Sequence, residues 1–516
     1  MYTVKKERFS KSIGYLFVSQ GFIKILGLLY SLYLINKPTF GDEGNAIYLS
    51  GYQIFAFMLT FSSIGVPNAV SNMIAKTDNH IMLNKIFKAA SGLYVFISCI
   101  SCLVLFIFSD VIANKFIGIE CVSYNLKLLA PIIMVTTLES VYTGFFNGIK
   151  QMKITAQIQF IEQLFKTLFT ITLVEILSKT TSNPAILSIG ATLGVSISIL
   201  TSFIISYIKK RNLQIYAKEF SRENLTYKEI IKRLLKFSIP ISIGAMFVGI
   251  NKNSDSFTIM NILAEKIGRD EAQKIYGIIA SKVDVLVILP LSFNITFSTA
   301  LIPNISEAKR RNDNKAIKFY IENSIFMSLA IGIAASMGLY FFAEEIFYLL
   351  FANSQSGAKL LKLASFSIIF SVLNQTFTGI LQGLEKNKIT VIATICGTIS
   401  KVMFNFLLVN QNIFLERGII LSSILSNVIM CIILFKEVRK NIRFSFKRYF
   451  FILLFSGIIM IIFVTFLDKV LLALSINKKI SFIISVLGGM VVFMQEILVI
   501  SNVFGFLKFN TKKVIV

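Results

Sequence analysis

The chain holds a single histidine, His80, so histidine-based metal sites and histidine-dependent catalytic triads have almost no raw material. Acids are also scarce: 27 Asp and Glu stand against 52 Lys and Arg in 516 residues, and charge of either sign makes up only 15% of the chain. No dinucleotide-binding glycine loop, P-loop or nucleophile elbow occurs in a usable context. ATP-driven pumping by this chain and hydrolytic catalysis are therefore both disfavoured. Five cysteines are present, Cys99, Cys102, Cys121, Cys396 and Cys431. Cys99 and Cys102 form a CxxC inside an apolar run with no second ligand pair nearby, which reads as packing rather than metal or redox chemistry. The reading is no enzyme, no catalytic residue, no metal and no cofactor beyond a coupling ion or the membrane potential.

What the chain has in abundance is apolar surface. Hydrophobic residues make up 55% and the mean hydropathy is +0.73. A water-soluble domain of this size cannot hide that much, whereas a bilayer removes the need. The net charge of +25 would suggest nucleic acid in a soluble protein. Here the basic residues fall between apolar runs, which points to membrane topology and contact with anionic lipids instead.

About 20 apolar residues cross the hydrocarbon core as a helix. Fourteen such segments are predicted, at 12–34, 46–75, 88–109, 124–148, 155–178, 185–208, 234–262, 275–305, 318–342, 360–384, 389–409, 415–436, 448–468 and 480–507. The basic start, with Lys5, Lys6, Arg8 and Lys11, leads into a run too long for a signal-peptide core and reads as the first membrane helix. With the N-terminus in the cytoplasm, 34 of the 52 basic residues fall on the cytoplasmic side and 13 outside. This is the bias the positive-inside rule requires, and it predicts both termini to be cytoplasmic. The richest loop, 209–236, carries nine basic residues and reads as a cytoplasmic linker attracted to anionic headgroups.

The sequence repeats itself. At a shift of 235, Thr143-Gly144-Phe145-Phe146-Asn147-Gly148 meets Thr378-Gly379-Ile380-Leu381-Gln382-Gly383, Lys153-Ile154-Thr155 meets Lys388-Ile389-Thr390, and Lys166 meets Lys401. Pro67-Asn68 meets Pro303-Asn304 at 236. The repeat spans six helices, an even number, so both copies enter the membrane from one side and form a parallel repeat. The expected fold is all-α: an N-lobe over 1–208, a basic linker over 209–233, a C-lobe over 234–440 and an extra helix pair over 441–516. Gly144, Gly148, Gly379 and Gly383 read as packing glycines that let helices approach closely.

Five lysines lie inside predicted spans: Lys24, Lys166, Lys252, Lys282 and Lys401. Each costs roughly 2.5–3.5 kcal/mol at a helix centre unless relieved. Glu162 precedes Lys166 by four residues, the favourable order for a helical ion pair, so the two are expected to form a structural salt bridge. Lys24, Lys252 and Lys282 fall on helices that would face each other across two lobes. They are the candidate substrate-binding cations, suited to a phosphate or pyrophosphate. Glu139, Asp255 and Asp284 read as ion or proton sites, or as counter-ions of the lysines; Glu496 is a further buried acid.

Several stretches resemble the stage V sporulation protein B group. Gly44 to Lys76, with Tyr48, Tyr52, Gly65, Pro67 and Ser71, resembles its second helix. Ile275-Tyr276-Gly277, Pro290 and Ala300-Leu301-Ile302-Pro303 with Ser306-Glu307-Ala308 resemble its eighth. Gly144 to Gly148 followed by Thr155 and Gln159-Phe160-Ile161-Glu162-Gln163 resembles its fourth-to-fifth helix turn. That group is similar to the lipid II flippases and belongs with polysaccharide exporters and MATE transporters. The resemblance implies a V-shaped pair of six-helix lobes in a bacterial cytoplasmic membrane. It also implies an undecaprenyl-pyrophosphate-linked glycan as substrate and cationic residues of the first, second and eighth helices in the cavity. Lys24 and Lys282 match two of those helices; the second helix here has no basic residue. Spans 448–468 and 480–507 would form a groove for the lipid tail. Two rivals share much of this pattern: a cation-coupled multidrug antiporter, which would favour an acidic cavity, and a non-transporting scaffold for spore or cell-wall assembly.

Overall fold

The computed structural model describes residues 9–504 apart from 76, 78–79, 150, 214–224, 352–356, 412 and 442–445. The middle of the basic linker and both termini, on which the orientation expectation rests, lie outside the described residues. The described residues are helical throughout, with no strand. Their contacts divide the chain into two compact units, Met1–Ser281 and Lys282–Val516.

The first unit contains α1 (Phe9–Asn36), α2 (Gly41–Ser62), α3 (Val66–Ala75), α4 (His80–Ile107), the single turn α5 (Ser109–Val111), α6 (Val122–Gly148), α7 (Met152–Ser178), α8 (Pro184–Arg211), α9 (Tyr227–Thr258), the single turn α10 (Ala264–Ile267) and α11 (Arg269–Ile278). The second contains α12 (Asp284–Arg310), α13 (Asn314–Phe341), the short α14 (Ala343–Leu350), α15 (Ala358–Gly383), α16 (Asn387–Val409), α17 (Leu415–Asn441), α18 (Phe446–Ala473) and α19 (Lys478–Phe504). Helices occupy all fourteen predicted segments. Among the described residues, twelve helical segments are long and apolar enough to cross a membrane by length and composition. Outside these twelve, α7 carries Lys153, Glu162, Lys166 and Glu175, and the described part of α1 is apolar over Gly21–Asn36. Large apolar side chains such as Phe96, Ile107, Phe455 and Met494 are exposed, as a lipid-facing surface requires.

The segment predicted as one helix over 46–75 is broken at residues 63–65. Gly65 faces the backbone of Ser238 on α9 so closely that a Cβ there would stand 2.6 Å from the Ser238 carbonyl oxygen. Pro67, at the second position of α3, needs no intrahelical donor and restarts the helix without loss. Three π-helical turns interrupt the long helices, at Ile112–Ile117, Ile259–Leu263 and Ile279–Val283. Such bulges often mark functional positions.

The core of the first unit packs α3 and α4 against α6 through Val70, Ile86, Tyr94, Val141 and Phe145, and draws in Leu234 of α9. Against α7, α8 presents small residues. Gly190 meets Leu177 and Gly194 meets the backbone of Thr170, while on the side toward α6 Ser188 accepts a hydrogen bond from Asn125 at 3.2 Å. Close approach of this kind supplies the van der Waals contact that drives helix association in lipid.

The sequence repeat groups 234–440 together, yet α9 and α11 pack on α2 in the first unit. Gly277 of α11 lies against the backbone of Asp42, leaving no room for a side chain, and Tyr276 donates a hydrogen bond to Gln53 at 3.0 Å. Sequence symmetry records which segments share ancestry, whereas packing depends on which helix faces close on one another, and no periodicity encodes that. In the second unit, α13, α15 and α17 surround a core including Ile325, Leu329, Phe377 and Leu434, and α18 joins it through α13.

The repeat is visible in backbone detail. Between α6 and α7, Ile149 N donates to Phe145 O at 3.1 Å, Gln151 N to Phe146 O at 2.8 Å and Ile154 N to Gln151 O at 3.0 Å. Between α15 and α16, at a shift of 235, Leu384 N donates to Ile380 O at 2.9 Å, Lys386 N to Leu381 O at 2.8 Å and Ile389 N to Lys386 O at 3.1 Å. Gln151 has φ −100° and ψ 50°; Lys386 has φ −96° and ψ 41°. Gly148 packs against Ser71 and Ile74, and the Gly383 carbonyl accepts a hydrogen bond from Ser306 at 3.0 Å.

Candidate functional site

Charged side chains at span depth are the place to look, because each must be relieved by a partner, a wet surface or a ligand. Lys24 on α1 and Lys252 on α9 are both exposed in the first unit, on helices that each pack against α2. Asp255, one turn from Lys252, is half-buried. Lys282 belongs to the second unit and differs in environment: it sits in the π-helical turn Ile279–Val283, is only 2% exposed, and holds its ammonium 5.7 Å from the Phe351 ring centroid. Asp284, at the start of α12, is exposed. Lys401 is buried on α16, and Glu496 keeps one buried carboxylate oxygen without a hydrogen-bond partner.

Glu139 and Lys166 belong to one assembly at the junction of α1, α2, α6 and α7. Glu139 is 8% exposed and lies within electrostatic reach of Glu162 on the next helix. Glu162 and Lys166, expected as a salt bridge, form no direct ion pair among the described residues. The Lys166 ammonium lies instead over two tyrosine rings, 4.6 Å from the centroid of Tyr52 on α2 and 5.4 Å from that of Tyr30 on α1. Helical spacing offers Glu162 as a partner, but the neighbouring helices bring aromatic faces nearer, and a cation held over such faces is stabilised by their quadrupoles. Tyr48, one turn before Tyr52, stacks with it at 6.2 Å; it is 2% exposed and its hydroxyl has no hydrogen-bond partner. Gln163, on the Lys166 face of α7, has a buried amide nitrogen that is likewise unpartnered.

The tyrosines are functional candidates that charge alone does not pick out. Their signal was there: Tyr48 and Tyr52 are four apart, so both project from one face of α2 at the depth of the lysine. The second repeat lacks the arrangement. At a shift of 235 Glu139 becomes Asn374, which donates to the Asn427 carbonyl at 3.0 Å, and Glu162 becomes Gly397. Its polar centre is neutral: Asn294, Ser298, Ser328 and Thr376 hydrogen-bond among themselves. Among the described residues no group of three or more His, Cys, Asp and Glu is placed to hold a metal.

Residues 9–309, more than half the chain, match the family described as Polysaccharide biosynthesis protein. The chain belongs to that family. A second family, MatE, matches residues 254–407. Among curated polysaccharide-biosynthesis relatives, the lipid II flippase MurJ of Bacillus subtilis (strain 168) is 24% identical over 447 residues, covering 82% of this chain and 81% of the relative. Stage V sporulation protein B of the same organism is 21% identical over 434 residues, covering 82% and 83%. Among solved structures, an inward closed conformation of lipid II flippase MurJ superposes with a TM-score of 0.70 at 16% identity, covering 95% of this chain and 99% of the other. An inward-facing multidrug resistance MATE family transporter of the MOP superfamily gives 0.67 at 14%, covering 81% and 94%. The chain, a member of the polysaccharide-biosynthesis family, thus has an all-α, multi-span membrane fold similar to those of the MurJ and MATE structures.

Proposed function

We propose that the protein is a flippase that moves an undecaprenyl-pyrophosphate-linked cell-wall or polysaccharide precursor across the bacterial cytoplasmic membrane. In this reading fourteen spans form two six-helix lobes in a V shape, with a C-terminal helix pair and both termini in the cytoplasm. The lobes rock to expose a central site alternately to each side. Lys24, Lys252 and Lys282 hold the pyrophosphate, and α18 and α19 guide the lipid tail. The observation that carries the reading is the exposure of Lys24 on α1 and of Lys252 on α9 inside predicted spans. An ammonium left open at that depth costs roughly 2.5–3.5 kcal/mol on insertion, a cost an anionic substrate offsets and a cationic drug does not. The membrane potential or a coupled ion supplies the energy.

The test is complementation of a flippase-depleted strain, with blotting for protein abundance. The Lys24→Ala, Lys282→Ala double variant is expected at normal level and without rescue, since removing an intramembrane charge eases insertion. Full rescue by that variant would remove the cationic site and favour a scaffold.

A further inference from the structure

We infer that Lys166, Tyr48 and Gln163 form an anion-binding subsite inside the first unit, taking a phosphoryl oxygen of the lipid-linked substrate. The inference rests on the flippase reading for the identity of the anion, but on separate residues and separate geometry.

Lys166 and Gln163 lie on α7 and Tyr48 on α2, and the Lys166 ammonium sits over Tyr30 of α1 and Tyr52 of α2. The Lys166 ammonium makes no hydrogen bond and no ion pair among the described residues. The Tyr48 hydroxyl is buried and unpartnered, and so is the Gln163 amide nitrogen. Gln163 and Lys166 share a face of α7 at a spacing of three. Leaving such groups unsatisfied away from water is unfavourable, and an added acceptor would relieve them. An oxyanion is an acceptor for all three, and a lysine with neutral donors around it suits a phosphate as a point charge. The rings of Tyr30 and Tyr52 hold the ammonium in place without consuming any of its three protons. Lys166 as a whole residue is half-buried.

Glu162 and Glu139 sharpen the inference because they oppose it. Glu162 acts on Lys166 from one turn away on α7, and Glu139 on α6 lies within electrostatic reach of Glu162. Near a bound anion they repel, and so weaken a complex that has to be released after each crossing. Near a bound cation they would attract. Removing Glu162 therefore changes affinity in opposite directions for the two kinds of ligand.

The experiment is isothermal titration of the purified full chain in detergent with farnesyl pyrophosphate, with inorganic pyrophosphate and farnesol as comparison probes. Lys166→Gln is expected to weaken farnesyl pyrophosphate roughly ten- to a hundred-fold, the range for one charge-assisted hydrogen bond. Tyr48→Phe should weaken it about two- to tenfold, and Lys166→Arg should restore much of the loss. Glu162→Gln should bind more tightly than the unaltered chain. Monodisperse elution and an unchanged melting temperature check the fold; should Lys166→Gln fail that check, Tyr48→Phe and Glu162→Gln decide alone. Weaker binding in Glu162→Gln, or unaltered binding in Tyr48→Phe, overturns the subsite. Inorganic pyrophosphate bound as tightly as the prenyl form would assign the site to a free anion, against a lipid-linked ligand. Should Lys166 and Tyr48 variants bind normally while the Lys24, Lys282 double variant loses complementation, the subsite falls and the flippase reading stands. Equal affinity for farnesol and farnesyl pyrophosphate removes both.

Discussion

Replacing Gly148 by alanine tests whether the first unit is held by backbone-to-backbone approach of α3 and α6. A Cβ at this position would stand 2.7 Å from both Cβ and Cγ2 of Ile74 and 3.1 Å from the Ser71 carbonyl oxygen. Ile74 is buried and β-branched, so it has no alternative rotamer to retreat into and the helices must part. At Gly144 the same methyl would meet Val70 Cβ at 2.8 Å and Pro67 O at 2.9 Å. Overpacking of this kind costs about 1–3 kcal/mol per site. Two neighbouring insertions along one seam act on the same separation, so the double variant should cost less than the sum of its parts. Gly92, on α4, has nothing within 4 Å of its Cβ position and serves as the control; alanine there should be neutral or stabilising by up to about 1 kcal/mol. The assay is the temperature of half-loss of the monodisperse peak after heating in detergent. The expected order of stability is Gly92→Ala at or above the unaltered chain, with Gly144→Ala and Gly148→Ala both below it. Equal stability of Gly148→Ala and Gly92→Ala would refute the reasoning.

Three further outcomes follow from particular contacts. Gly379→Ala should be milder than Gly144→Ala, because its Cβ meets one backbone atom, Ser298 O, at 3.0 Å and otherwise finds contacts at 3.5 Å; the same heating assay compares the two. Thr226→Ala removes a capping box in which Thr226 N and hydroxyl both donate to the Glu229 carboxylate. It should cost about 0.5–2 kcal/mol, read as faster amide exchange confined to the first turns of α9. In a cysteine-free background, Glu120→Cys should label with an impermeant thiol reagent applied to whole cells and Lys209→Cys should not; the reverse pattern would invert the proposed orientation.

The helices themselves were legible because apolar length is a one-dimensional property, and the repeat was legible because a constant shift survives divergence. The broken helix at 63–65 was only partly so. Gly65 and Pro67 announce a turn, but the run around them is apolar throughout, and it is the approach of Ser238 that makes glycine necessary. The lysines divided the same way. Spacing alone assigned Glu162 to Lys166, and tertiary packing gave the ammonium to Tyr52 and Tyr30. Burial separates Lys282 from Lys24 and Lys252, and depends on which helix face meets Phe351, information that no local pattern carries.

The joint between α6 and α7 has a practical consequence. Because its hydrogen bonds and backbone angles recur between α15 and α16, the two helical hairpins are interchangeable frames that differ in the side chains hung on them. Position 397, the counterpart of Glu162, is a glycine whose Cβ would meet nothing nearer than Met430 at 3.4 Å, an ordinary contact. Gly397→Glu would therefore graft an acid one turn before Lys401 without new backbone, giving the second unit the same acid-to-lysine spacing as Glu162 and Lys166. A chain with two such centres would show whether transport depends on the halves being unlike.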